Sequence, residues 1–190
     1  MQPKNLLIIM SDEHSVKAMS GNGHDMVKTP NLDKLAARGT KFNAAYCSSP
    51  ICVPTRASFA TGRYVHENGS WCNGHPYTGE MEGWGHRLQE TGNRVVSIGK
   101  LHYRNETDPT GFEEQILPLH VVNGTGDVLG AVRDELPIRR KGINMLNNTG
   151  PGESGYIDYD RQIVEESAKW LQERGKEKDD KPWVVFVSMV

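Results

Sequence analysis

The sequence predicts an α/β fold in which a mixed, largely parallel sheet is sandwiched by helices. Two patterns predict it. Apolar runs without polar alternation occupy Asn5 to Met10, Arg94 to Ile98 and Trp183 to Val187, and such runs fit strands covered on both faces, as in parallel sheets. Between them lie amphipathic segments with helix start and stop signals, and that alternation is the pattern of a sheet layered with helices.

Taken in order, Leu6-Leu7-Ile8-Ile9-Met10 follows a single Lys4 and runs at once into Asp12 and Glu13. It is too short for a signal-peptide core or a membrane span and reads as a buried strand. Thr29-Pro30 opens a helix with Leu32, Leu35 and Ala36 on one face, and Gly39 ends it. A second helix starts around Pro54, carries Ala57, Phe59 and Ala60, and stops at Gly62; a third runs from about Gly85 to Thr91 and is closed by Gly92. The strand Arg94 to Ile98 follows. From Asn105 to about Ser154 the chain is rich in Gly, Pro, Asn and charge, with short apolar pieces only at Ile116-Leu117 and Val121-Val122, which predicts a long functional loop. Asp160 to Arg174 then places Ile163, Val164, Ser167, Ala168 and Leu171 at helical spacing, with Gly175 after the end.

Composition narrows the function. The 190 residues carry 22 Lys and Arg against 24 Asp and Glu, a formal net charge of -2. That balance lacks the basic footprint that nucleic acid or an anionic membrane surface requires. With 36% hydrophobic residues, the chain is expected to fold as one domain or part of a larger one. Cys47, Cys52 and Cys72 are an odd number at low density, which predicts a reducing, cytoplasmic compartment rather than a disulfide scaffold. Their C-x4-C spacing is poor for structural zinc. Sequons at Asn68, Asn105, Asn123 and Asn147 read as chance in a chain with no secretory signal.

The chemistry concentrates in Cys52-Val53-Pro54-Thr55-Arg56-Ala57-Ser58-Phe59-Ala60-Thr61-Gly62. A cysteine there faces the unpaired N-H groups and positive dipole end of a helix, and Arg56 one turn in adds a planar donor fork suited to a tetrahedral oxyanion. These residues fit a thiolate nucleophile, an anion site, or a buried cysteine that caps a helix.

The same segment resembles the sulfatase signature C-x-P-x-R with its T-G ending, and Gly92 to Gly99-Lys100-Leu101-His102 resembles the second sulfatase signature, which ends in G-K-x-H. Ser11-Asp12-Glu13 is similar to the family's first metal-binding acidic pair, and Thr29-Pro30-Asn31-Leu32-Asp33-Lys34-Leu35-Ala36 matches the helix usual between them. The resemblance implies an alkaline-phosphatase-like fold and sulfate-ester hydrolysis. It implies that Cys52 is oxidised to formylglycine, whose hydrate offers one hydroxyl to attack sulfur and a second whose deprotonation expels the sulfate. Arg56 then holds this group, Lys100 contacts the sulfate, His102 is the base, and Asn73 contacts the transferred group. Asp12, with Glu13 and the modified Cys52, is implied to bind a divalent cation, Ca2+ before Mg2+ or Mn2+. Glu13 departs from the family's usual second aspartate.

The implied partners are a small-molecule or saccharide sulfate ester, a formylglycine-generating maturation enzyme and, for specificity, loops or a homo-oligomer contact. Phosphonate monoester and phosphodiester hydrolases share C-x-P-x-R, but the Lys-x-His pair favours sulfate. The family's second pair of metal ligands, its later lysine and its H-x-P histidine have no match. The expectation is therefore that residues 1-190 form the N-terminal portion of one catalytic domain, incomplete at the C-terminus and inactive alone.

Overall fold

A computed structural model describes residues 4–126, 140–174, 176 and 181–190. Strand β1 (Leu6–Ser11) is followed by a 3-10 turn at Ser20–Asn22 and by helices α1 (Pro30–Ala36), α2 (Cys52–Thr61), α3 (Val65–Asn68) and α4 (Trp84–Glu90). Strands β2 (Arg94–Lys100) and β3 (Glu114–Leu119) come next, then helices α5 (Arg140–Asn147) and α6 (Gly155–Arg174), then strand β4 (Trp183–Met189). The sheet order is β1-β4-β2-β3, and every pairing among the described strands is parallel.

The absence of alternation in β2 and β4 is explained by their central place. On one face Phe186 packs with Ala57 and Ala60 of α2 and with Tyr77, Leu101 and Tyr103. On the other, Val185 and Val187 pack with Val96, Ile98 and the α6 residues Ile163 and Trp170. Helices thus cover both faces, as expected. Strand β1 does not follow the same rule: Leu7 and Ile9, on its α6-side face, are exposed, Ile9 at 60%. Its apolar run predicts burial on both faces, yet among the described strands β1 is an edge with a single neighbour.

Other boundaries shift for local reasons. Helix α2 starts at Cys52 rather than near Pro54, with extended Ile51 as its N-cap, and ends at Gly62, whose φ of 65° supplies the left-handed cap. Helix α1 buries none of its residues, so Leu32 and Leu35 do not form the predicted core face. Its T-P-N-L-D segment works instead through hydrogen bonds: Thr29 N–H donates to Ser20 Oγ, and Ser20 Oγ donates to Asp33. Helix α6 begins at Gly155, five residues before its predicted start at Asp160, and Gly175 lies outside the described residues. The segment expected to be a long loop contains β3, with Pro118 tolerated on an edge strand, and α5; residues 127–139 lie outside the described set. Among the described residues no helix is long and apolar enough to cross a membrane.

Candidate active site

Parallel strands end on the same side of the sheet, and in such folds that side carries the ligand site. Asp12 directly follows β1, and its N–H continues the ladder onto Met189 C=O at 3.3 Å. Glu13 then turns the chain at φ 54°, a left-handed conformation. Lys100 closes β2. The register slips between Ile98 and Lys100, where Gly99 sits at φ 96°. A Cβ on Gly99 would stand 2.2 Å from Ser188 O, so only glycine fits, and the slip aims Lys100 at the strand ends. His102 follows at φ 55°, its N–H held by Leu119 C=O at 2.7 Å.

These turns bring Asp12, Cys52, Arg56 and Lys100 into contact. Cys52, in the first turn of α2, donates its thiol to Asp12 Oδ2 at 3.5 Å, and Lys100 Nζ lies 3.9 Å from Cys52 Sγ. Lys100 Nζ also pairs with Asp12 Oδ2, and Arg56 Nη2 approaches Asp12 Oδ1 at 3.5 Å. Asn73 arrives from a loop and accepts the Val53 N–H on Oδ1 at 3.0 Å. It satisfies one of the orphan donors of α2, a capping role that the sequence reading missed. Asp12, Glu13, Cys47, Cys52, Thr55 and Asn73 line one cleft of about 580 Å³.

Arg56 is 3% exposed, and its Nη1 donates to Lys100 C=O at 2.5 Å and to Ser188 Oγ at 2.9 Å. Its Nε and Nη2 are buried with no hydrogen-bond acceptor among the described residues. Two such donors, beside an ammonium and a helix N-terminus, suit an oxygen-rich anionic group at the Cys52 position.

Electrostatics sort the readings left open by the sequence. Burial, the largest influence, pushes the Cys52 thiol above its usual 9.0, and Asp12 adds to the shift against the pull of Lys100 and Arg56. Cys52 is thus a protonated thiol at neutral pH, a poor thiolate nucleophile. For Asp12 burial raises the pKa, but the Lys100 and Arg56 cations outweigh it and hold the carboxyl below 3.8. His102 is pushed down to about 4, first by burial and then by the Lys100 and Arg56 charges. Its imidazole is therefore neutral at physiological pH and able to accept a proton.

Among the described residues no group of three or more His, Cys, Asp or Glu side chains is placed to hold a metal ion. Both Asp12 oxygens face cations, and a hard cation that takes six to eight oxygens is not satisfied by Asp12, Glu13 and Cys52. On their own these three are an incomplete ligand set for such a cation. The cysteines do not gather around zinc either: Cys72 Sγ sits 3.3 Å from His75 Nδ1, away from the Cys52–Asp12 contact.

With this geometry in place, relatives are informative. The N-acetylglucosamine-6-O-sulfatase of Bacteroides thetaiotaomicron is 35% identical over 109 residues, 57% of this chain and 19% of that protein. A protein solved in complex with its substrate D-glucosamine-2-N,6-O-disulfate superposes with a TM-score of 0.69 at 24% identity, over 97% of this chain and 34% of that one. The phosphonate monoester hydrolase of Agrobacterium radiobacter gives 0.68 at 21% identity, over 99% and 41%. The chain thus spans less than half the length of these relatives, and the two superpositions show a shared fold. The sulfatase family model matches residues 4–190. Spanning both signatures and the strands that carry them, this match identifies the chain as a member of the sulfatase family.

Proposed function

We propose that the protein hydrolyses sulfate esters, with Cys52 converted to formylglycine as the nucleophile precursor. The observation that carries this reading is the placement of Cys52: it opens α2 at the helix N-terminus, 3.5 Å from Asp12 and 3.9 Å from the Lys100 ammonium. The surroundings favour an anionic oxygen ligand, whereas the side chain present is a weakly acidic sulfur acid. Formylglycine removes the mismatch, because its hydrate supplies one hydroxyl for attack on sulfur and a second to release the bound sulfate.

The chain's own groups then have separable tasks. Arg56 and the first turn of α2, capped by Asn73, hold the oxygens at position 52. Lys100 stands between that position and Asp12, where its ammonium neutralises a sulfate oxygen as the ester bond breaks. His102, neutral and half-buried, accepts the proton of the second hydroxyl. Asp12 and Glu13 are the ligands this chain offers a divalent cation, and no step above depends on one.

The sulfated saccharides named for the relatives above support a saccharide sulfate ester as the proposed substrate class. A second reading, phosphonate monoester hydrolysis, is favoured by the equally good superposition on the phosphonate-cleaving enzyme. Turnover of an aryl sulfate and of an aryl phosphonate by the same preparation separates the two. A clear preference for the sulfate, lost in Cys52→Ala, is expected. Preference for the phosphonate overturns the assignment.

A further inference from the structure

The Arg56 guanidinium reaches three strands: Asp12 after β1, the Lys100 carbonyl at the end of β2, and Ser188 on β4. Ser188 is fully buried and lies level with Met10 of β1 and Gly99 of β2, beneath the strand ends that carry the site. Its hydroxyl and the Lys100 carbonyl are the only hydrogen-bond acceptors of Arg56 among the described residues, and both take the same nitrogen, Nη1. Two acceptors on one nitrogen fix the guanidinium plane and leave Nε and Nη2 without a hydrogen-bond acceptor among the described residues, with Nη2 on the Asp12 side, where the thiol of Cys52 also points. The Lys100 carbonyl comes with any sequence; the Ser188 hydroxyl does not.

We infer that Ser188 is a positioning residue for catalysis: it orients Arg56 toward the nucleophile without touching substrate. The inference rests on the reading of Arg56 as the cation that holds the nucleophile oxygens. Ser97 provides an internal control. It is also a buried β2 serine, paired with Phe186 on the same face of the sheet, but its hydroxyl has no partner among the described residues. Deleting the Ser97 hydroxyl removes a buried group without a partner, whereas deleting the Ser188 hydroxyl removes an acceptor of the arginine and frees it.

The test measures kcat and KM for an aryl sulfate in the mature full-length enzyme, with thermal unfolding alongside, for S188A, S97A, S188T, S188V and R56A. S188A is expected to lose kcat by about tenfold or more with KM within about twofold, the signature of a misaligned group rather than weakened binding. S97A, which removes a hydroxyl without a partner, is expected to keep both kcat and the wild-type unfolding midpoint. Thr and Val add the same volume at position 188, so S188T should exceed S188V in kcat because only Thr retains the acceptor. Equal kcat for S188A and S97A, or for S188T and S188V, overturns the role of Ser188. Wild-type turnover in R56A overturns the underlying reading of Arg56 instead.

Discussion

The centre of the sheet and its β1 edge build opposite halves of the site in different ways. Strands β2 and β4 are buried on both faces, and the half of the site formed by the cations Arg56 and Lys100 with the neutral His102 is held by or near them through backbone and buried side-chain hydrogen bonds. The acidic half, Asp12 and Glu13, hangs from β1, an edge among the described strands, whose Leu7 and Ile9 side chains are exposed. A charge placed to hold an anion must not relax toward it, and a packed interior supplies that rigidity. Strand β1 is packed on one face only, through Ile8 and Met10, and the Asp12 carboxylate at its end faces the Lys100 and Arg56 cations.

The largest effect that sharpens this contrast is on stability. Ile98→Ala at the centre is expected to cost about 2–5 kcal/mol, because both sheet faces around it are packed, whereas Ile9→Ala on the open face of β1 should cost less than about 1 kcal/mol. Urea unfolding of the two variants measures the difference. Equal losses would mean that β1 is as well packed as the centre.

A smaller effect is expected at Asn73. Asn73→Ala removes the acceptor of the Val53 N–H and should cost about 1 kcal/mol, with Asn73→Asp retaining most of it. The denaturation midpoint should fall with the slope unchanged.

A third effect is a pH dependence. His102 is held at about 4 in the fold and returns to 6.5 when unfolded. The unfolded state therefore binds the proton first, and stability present above 6.5 is lost as pH falls toward about 4. His102→Gln should flatten that slope in unfolding curves between pH 7 and about 4, leaving the share contributed by His120, which is also held low, chiefly by burial. A slope unchanged by the substitution would place His102 in solvent.

Much of the centre was legible in the sequence because it depends on local pattern. The runs of β2 and β4, Gly62 after α2, and the spacing of Cys52, Arg56, Lys100 and His102 are short-range signals. What escaped depends on contacts distant in sequence. Ser188 lies 132 positions from Arg56, and a serine inside an apolar run carries no mark of its partner. Asn73 caps a helix that starts 21 positions earlier, at Cys52, so no local capping motif announces it. The β1 run reads as doubly covered because apolar content reports strand propensity and not the number of neighbours. Strand β3 is hidden by Pro118 and by Leu117 at φ 50°, an irregularity that edge pairing tolerates.

The central claim is that Cys52 does not function as a thiol. Its most direct test is mass spectrometry of the tryptic peptide Phe42 to Arg56 from protein produced in a host that contains the maturation enzyme. The predicted result is a Cys52 side chain that has lost its sulfur and two hydrogens and gained one oxygen, the composition of an aldehyde. An unmodified thiol in protein that turns over an aryl sulfate would contradict the account.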